Sequence, residues 1–180
     1  MSLLNKNMRW SEPVKYARME SPVGILTIAG DEDGLRFILF CTGNRAASPG
    51  PDWQESSRGM VGETIRQLQA YFEKTRTHFD LPLKPEGTPF QMSVWRELQH
   101  IPYGTTISYG EVANRIGRPN ASRAVGAANG ANPIPIVIPC HRVIGSKGEM
   151  TGYGGGVQIK KILLELENPG SKTPLLPGIR

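Results

Sequence analysis

Cysteine is scarce in this chain: Cys41 and Cys140 are the only two, and they stand far apart. That scarcity argues against a disulfide framework or a cysteine-rich zinc site. His78 and Cys41 have no companion ligands near them, so no metal is expected. Apolar runs are short, and none approaches the length needed to span a bilayer. The first seven residues lack the apolar core of a secretory signal. There is no internal repeat and no long low-complexity tract. These absences lead to the expectation of a cytoplasmic, non-membrane protein without metal or cofactor.

What is present is enough apolar material, 38% of 180 residues, for one sizeable core or two small ones. The net charge of +5 is unevenly spread. Residues 1–88 carry 11 basic and 11 acidic side chains, and residues 89–180 carry 10 and 5. Between 107 and 147, Arg115, Arg118, Arg123, Arg142 and Lys147 face Glu111 alone. Such an excess suits a polyanion, because each phosphate neutralised releases counterions. It equally suits a solvated basic face.

Val14 to Met19, Gly24 to Ala29 and Leu35 to Phe40 read as three short strands of an antiparallel meander, separated by turn residues. Cys41, at the end of the third, reads as a small buried hydrophobe. Residues 42–57 look like a loop, and Ile65, Leu68, Tyr71 and Phe72 recur at helical spacing within about 59–74. The Pro-rich stretch 81–87 reads as a linker. Thr88-Pro89 starts a helix with Phe90, Val94, Trp95 and Leu98 on its apolar face. Ser108 and Glu111 form a possible capping box for a second helix. After Gly117-Arg118-Pro119, Asn120 can cap a third helix running to about Gly130. Two short helices around a Gly-containing turn have the outline of a helix-turn-helix. A last helix carries Ile159, Ile162, Leu163 and Leu166 on one side. The expected fold is α+β (α/β two-domain), with a small antiparallel sheet and helix first and a mostly helical part second. The expected boundaries are 1–87, 88–168 and a flexible tail at 169–180.

The third helix has little side-chain bulk: Ala121, Ala124, Gly126, Ala127, Ala128 and Gly130, with Arg123 as its one long projection. Small residues allow close packing against a neighbouring helix. They also allow close approach to a DNA minor groove, with an Arg filling a gap in the base stack. The apolar, Pro-stiffened segment 132–139 then delivers Cys140 beside His141. Thiolate is the reactive form, and a neighbouring cation or His lowers a thiol pKa. Adjacent residues on an extended chain point to opposite sides, so the pair meets only through a turn or a bridging water. A third group must orient the imidazole, with Glu149, Glu165 and Glu167 as candidates. The adjacency alone also suits a buried structural thiol. Downstream, 152–156 is a glycine-rich loop at a helix start, where backbone N–H groups favour an electronegative atom.

The run Pro139-Cys140-His141-Arg142-Val143-Ile144 follows Asn132-Pro133 and precedes Gly152-Tyr153 and Gly155-Gly156. With Pro102-Tyr103-Gly104, Ser108-Tyr109 and Arg123-Ala124-Val125-Gly126 upstream, it closely resembles the O6-alkylguanine-DNA alkyltransferases. The resemblance is dense over about 89–167 and looser before that. It implies a ribonuclease H-like first domain and a single-turnover repair protein that moves an alkyl group from O6-alkylguanine, with O4-alkylthymine as a second candidate donor, to its own Cys140. By the resemblance, His141 acts as base through a water, Glu167 orients it, and Asn132 holds the preceding turn. Tyr109 donates toward the departing guanine. Ala121, Ser122, Arg123, Ala124, Gly126 and Ala127 meet the minor groove. Pro135, Val143, Tyr153, Gly154, Gly155 and Lys160 form the pocket. Gly154 stands where the family often has Ser, which should widen that pocket. The partner implied is double-stranded DNA containing alkylated bases, bound by a monomer. A cysteine hydrolase using Cys140, His141 and Glu167 is a second reading, and a non-catalytic lesion-binding helix-turn-helix protein a third.

Overall fold

The computed structural model describes residues 13–41, 49–150 and 153–170. The N-terminal seven residues, part of the 42–57 loop, Gly152 and most of the tail lie outside these.

Three strands, β1 (Lys15–Met19), β2 (Leu26–Asp31) and β3 (Gly34–Phe40), pair antiparallel as the turn residues between them predict. A two-residue strand, β4 (Gln54–Glu55), joins β1 in parallel and gives the sheet order β3-β2-β1-β4. The sheet is therefore mixed, and part of the expected loop belongs to it. The helix α1 (Gly59–Phe72) lays Val61, Thr64, Leu68 and Tyr71 into the core, a stripe at helical spacing. On the other face Val14, Ala29, Phe37 and Leu39 cluster with Tyr16 and Trp53, so β3 is buried on both sides. Cys41 is only half-buried, with its sulfur 3.4 Å from Thr27 Oγ1.

The stretch expected as a linker is fixed to the sheet. Leu35 N–H donates to the Pro82 carbonyl at 2.8 Å, and Lys84 N–H donates to the Leu35 carbonyl at 2.8 Å. Further along the same edge, Ile38 N–H donates to the Pro133 carbonyl at 2.9 Å. An unpaired sheet edge is a template for aggregation, and here two distant segments close it.

The second part is helical. In α2 (Pro89–Leu98), Thr88 and Gln91 form a reciprocal capping box, and Val94, Trp95 and Leu98 are buried. Ser108 caps α3 (Tyr109–Arg115) by accepting from Glu111 N–H at 3.1 Å. The Glu111 carboxylate turns instead to Arg115, 2.9 Å away. The helix α4 (Ser122–Gly130) starts from Ala121 without a side-chain cap, so Asn120 does not play the expected role. Trp95 Nε1–H donates to the Ala128 carbonyl at 2.9 Å and ties α2 to α4. Strands β5 (Ile107–Ser108) and β6 (Val143–Ile144) pair in parallel. The last helix, α5 (Val157–Glu167), buries Ile159, Lys160, Leu163, Leu164 and Glu167. Ile162, expected on the apolar face, is 41% exposed. One continuous apolar core runs from the sheet through α1 and α2 to α5. Among the described residues, no helix is long and apolar enough to cross a membrane.

Candidate active site

The segment before Cys140 is a closed turn rather than the extended run its composition suggests. Asn132 Oδ1 accepts from Ile134 N–H at 3.0 Å, and its Nδ2–H donates to the Ile138 carbonyl at 2.8 Å. Ile138 N–H returns to the Ile134 carbonyl at 2.9 Å. Ile136 sits at φ 74°, where a β-branched residue is strained by roughly 1–3 kcal/mol. Residues with such backbones persist where their surroundings over-determine them, and here one asparagine side chain bridges both limbs of the turn. Cys140–Arg142 then form a single 3-10 turn, so Cys140 and His141 do not splay as on a strand.

Cys140 is 2% exposed. It lines a cavity of about 30 Å³ with Asn129, Asn132, Pro135, Gly154 and Phe40, which is room for one or two water-sized groups. Burial pushes its thiol up to about 11, against the Asn132 amide, the Lys160 ammonium and nearby backbone N–H groups, which pull down. Burial also pulls Lys160 down to about 8. Lys160 Nζ–H donates to the Val143 carbonyl at 2.5 Å and lies 5.8 Å from the Tyr109 ring centre.

Behind the thiol, one carboxylate gathers the site. Glu167 Oε1 accepts from His141 Nε2–H at 2.7 Å, Tyr71 O–H at 2.8 Å and Arg142 Nη2–H at 2.9 Å. Glu167 Oε2 accepts from Arg142 Nε–H at 2.8 Å and Gly104 N–H at 3.0 Å. Gly104 has φ 72°, and a side chain there would meet the Glu167 backbone at 3.1 Å. Burial would raise the Glu167 pKa, but hydrogen bonds from His141 and Arg142 outweigh it and hold the group well below the carboxylate range. Because Arg142 balances this charge, burial dominates at His141 and lowers its pKa, against the pull of Glu167. An ionised carboxylate can only accept, so the neutral imidazole carries its proton on Nε2 and a lone pair on Nδ1. That Nδ1 is buried and has no hydrogen-bond partner among the described residues. The arrangement is a neutral imidazole with an unpartnered nitrogen at the residue that follows a sequestered thiol.

A sequence profile for the 6-O-methylguanine DNA methyltransferase DNA binding domain matches residues 89–169, and one for its ribonuclease-like domain matches 14–85. The methylated-DNA--protein-cysteine methyltransferase of Methanosarcina acetivorans is 51% identical over 152 residues, 84% of this chain and 97% of that protein. The protein of that name from Mycolicibacterium paratuberculosis is 48% identical over 162 residues, 90% and 97% of the two. The chain belongs to the methylated-DNA--protein-cysteine methyltransferase family. A solved methyltransferase structure, Mycobacterium tuberculosis OGT in complex with DNA, superposes with TM-score 0.79 at 46% identity, covering 88% of this chain and 98% of that one.

The methyltransferase-like residues expected from the sequence fall into two groups. Cys140, His141, Glu167, Asn132, Val143, Lys160 and Pro135 are buried together, with Tyr153 and Gly155 beside them. Gly155 is pressed against Phe40 of β3, whose ring a side chain there would meet at 2.9 Å. Along α4, Arg123, Ala124 and Ala127 are exposed, while Ala121, Ser122 and Gly126 are half-buried. Gly126 lies over Tyr109, whose ring stands 3.8 Å from where a side chain would begin. Sequence reasoning missed Arg142, Asn129 and Tyr71. Asn129 Nδ2–H donates to the Cys140 carbonyl at 3.2 Å. Arg142 was visible as the residue after His141; nothing in the local pattern marks Tyr71 beyond its place on an apolar helix face.

Proposed function

We propose that this methyltransferase-family chain is a single-turnover DNA repair protein that takes the alkyl group of an O6-alkylguanine in double-stranded DNA onto Cys140. The observation that carries the reading is the unpartnered Nδ1 of a neutral His141 beside a buried thiol, with Glu167 fixing the tautomer. The thiol proton passes through a water to His141 Nδ1, and sulfur attacks the alkyl carbon. The S–C bond forms as the O6–C bond breaks, and the guanine leaves with that electron pair. Tyr109 donates toward its ring nitrogen, and the base regains a proton from solvent. The ammonium of Lys160 favours the thiolate in a site where burial disfavours it. The thioether has no good leaving group, so each molecule acts once.

The alkyl carbon is unreachable in a stacked duplex, so the nucleotide is extruded at a cost of a few kcal/mol. The exposed small-residue face of α4 suits the minor groove, with Arg123 occupying the vacated space. Pro135, Val143, Tyr153, Gly154 and Gly155 surround the flipped base. The domain division at 87 and 88 and a cytoplasmic location belong to the same proposal. Intact-mass measurement after incubation with O6-methylguanine duplex tests it. One added methyl, mapped to Cys140, is expected. An unmodified protein at equimolar lesion, or repeated turnover, would overturn the reading and favour a hydrolase or a binding protein.

A further inference from the structure

We infer that Tyr71, from the N-terminal part of the chain, is a positioning residue for alkyl transfer, sharing one oxygen of Glu167 with His141. The inference rests on the alkyl-transfer reading above and adds to it a residue outside the DNA-binding part.

Tyr71 is fully buried on the last turn of α1. Its ring is held on three sides: Phe72 at 5.3 Å, Phe79 at 5.4 Å and Tyr103 at 6.1 Å between ring centres. So clamped, its hydroxyl has little freedom, and it donates to Glu167 Oε1 at 2.8 Å across 96 residues of sequence. Burial and then the Glu167 charge push the phenol well above its ordinary range, so it remains a donor at every working pH.

The shared oxygen gives this contact a chemical consequence. His141 Nε2–H donates to the same Oε1. A second donor there withdraws electron density and weakens the carboxylate's hold on a protonated imidazole. Tyr71 therefore keeps His141 neutral and its Nδ1 lone pair available. The other groups acting on His141 are Arg142 beside it and Lys160 from α5, both of which also disfavour the cation. The Glu167 charge in turn raises the phenols of Tyr153 and Tyr103, after burial. Of these, Tyr71 alone reaches Oε1 from the N-terminal part.

The test is the pH profile of single-turnover methyl transfer from an O6-methylguanine duplex, for wild type and Tyr71→Phe, with DNA affinity measured alongside. Removing the donor should move the acid limb upward by about half to one pH unit, a roughly three- to tenfold slower reaction on that limb. DNA affinity should not change, and the His141 ring should titrate higher by NMR. Should Tyr71→Phe fail to fold, a fluorotyrosine placed at position 71 makes a stronger donor and should move the limb downward. A Tyr71→Phe limb that coincides with that of a wild type methylated on Cys140 overturns the inference alone. A rate loss matched by weaker DNA binding, with the limb in place, overturns it too. A wild type that takes up no methyl group overturns the function and this inference with it.

Discussion

The outward face of α4 and the cluster around Glu167 serve the same proposed reaction under opposite conditions. On α4 the side chains are small, Arg123, Ala124 and Ala127 are exposed, and salt screens whatever charge acts there. Around Glu167, one carboxylate takes five hydrogen bonds from three other segments of the chain, away from water. The first surface can meet many sequences because it commits few atoms. The second works only if every partner is in place, because an unpaired buried charge is costly. Affinity and chemistry are thus separable here, and variants should split along that line.

The largest separation is expected for Cys140→Ala. It should abolish methyl uptake, read by intact mass, and leave DNA affinity as in wild type. Retained methyl uptake would break the comparison at its root. Next, Glu167→Ala strands Arg142 in a buried position and should destabilise the fold by about 3–5 kcal/mol in a denaturant titration. Stability should also weaken in acid. Glu167 and His141 both have folded pKa values below their unfolded ones, so the unfolded chain binds more protons as pH falls. The His141 contribution is present above its unfolded value near 6.5 and is lost as pH falls below it, and that of Glu167 is lost further into acid. A denaturation midpoint unchanged from neutral pH to mild acid would show that the cluster is wetter than described. A smaller effect belongs to α4: Arg123→Ala should weaken DNA binding and reduce the slope of log Kd on log salt by up to about 1. The smallest is expected for Glu63→Gln, which removes an exposed pair with Arg66 and should leave the midpoint unmoved, since such pairs are largely offset by solvent.

The regular elements were legible because their signal is local. Short runs separated by turn residues marked β1 to β3, and the Thr88-Pro89 start marked α2. Cys140, His141 and Glu167 were reachable through the motif run and its resemblance. Strand β4 was hidden, because two exposed residues pair through backbone groups alone and leave no periodic trace. Asn120 failed as a cap because the chain enters α4 through a turn in which Ala121 N–H donates to the Arg118 carbonyl at 2.8 Å. The left-handed backbone at Ile136 runs against the preference of its side chain and could not be read from it. Tyr71 reads as an ordinary core residue, and its meaning depends on a contact 96 residues away.

The closure of the β3 edge has a consequence during synthesis. Residues 82–84 emerge from the ribosome soon after the strand and can cover its first half at once. The Pro133 carbonyl, which covers Ile38, arrives only after α2, α3 and α4 have been made. For that interval a nascent chain carries a half-open, strongly apolar strand edge, the kind of surface that pairs with other chains. Completion of the turn that carries the thiol is also what removes this hazard, so a chain that stalls before it lacks a reactive site and is the most prone to aggregate.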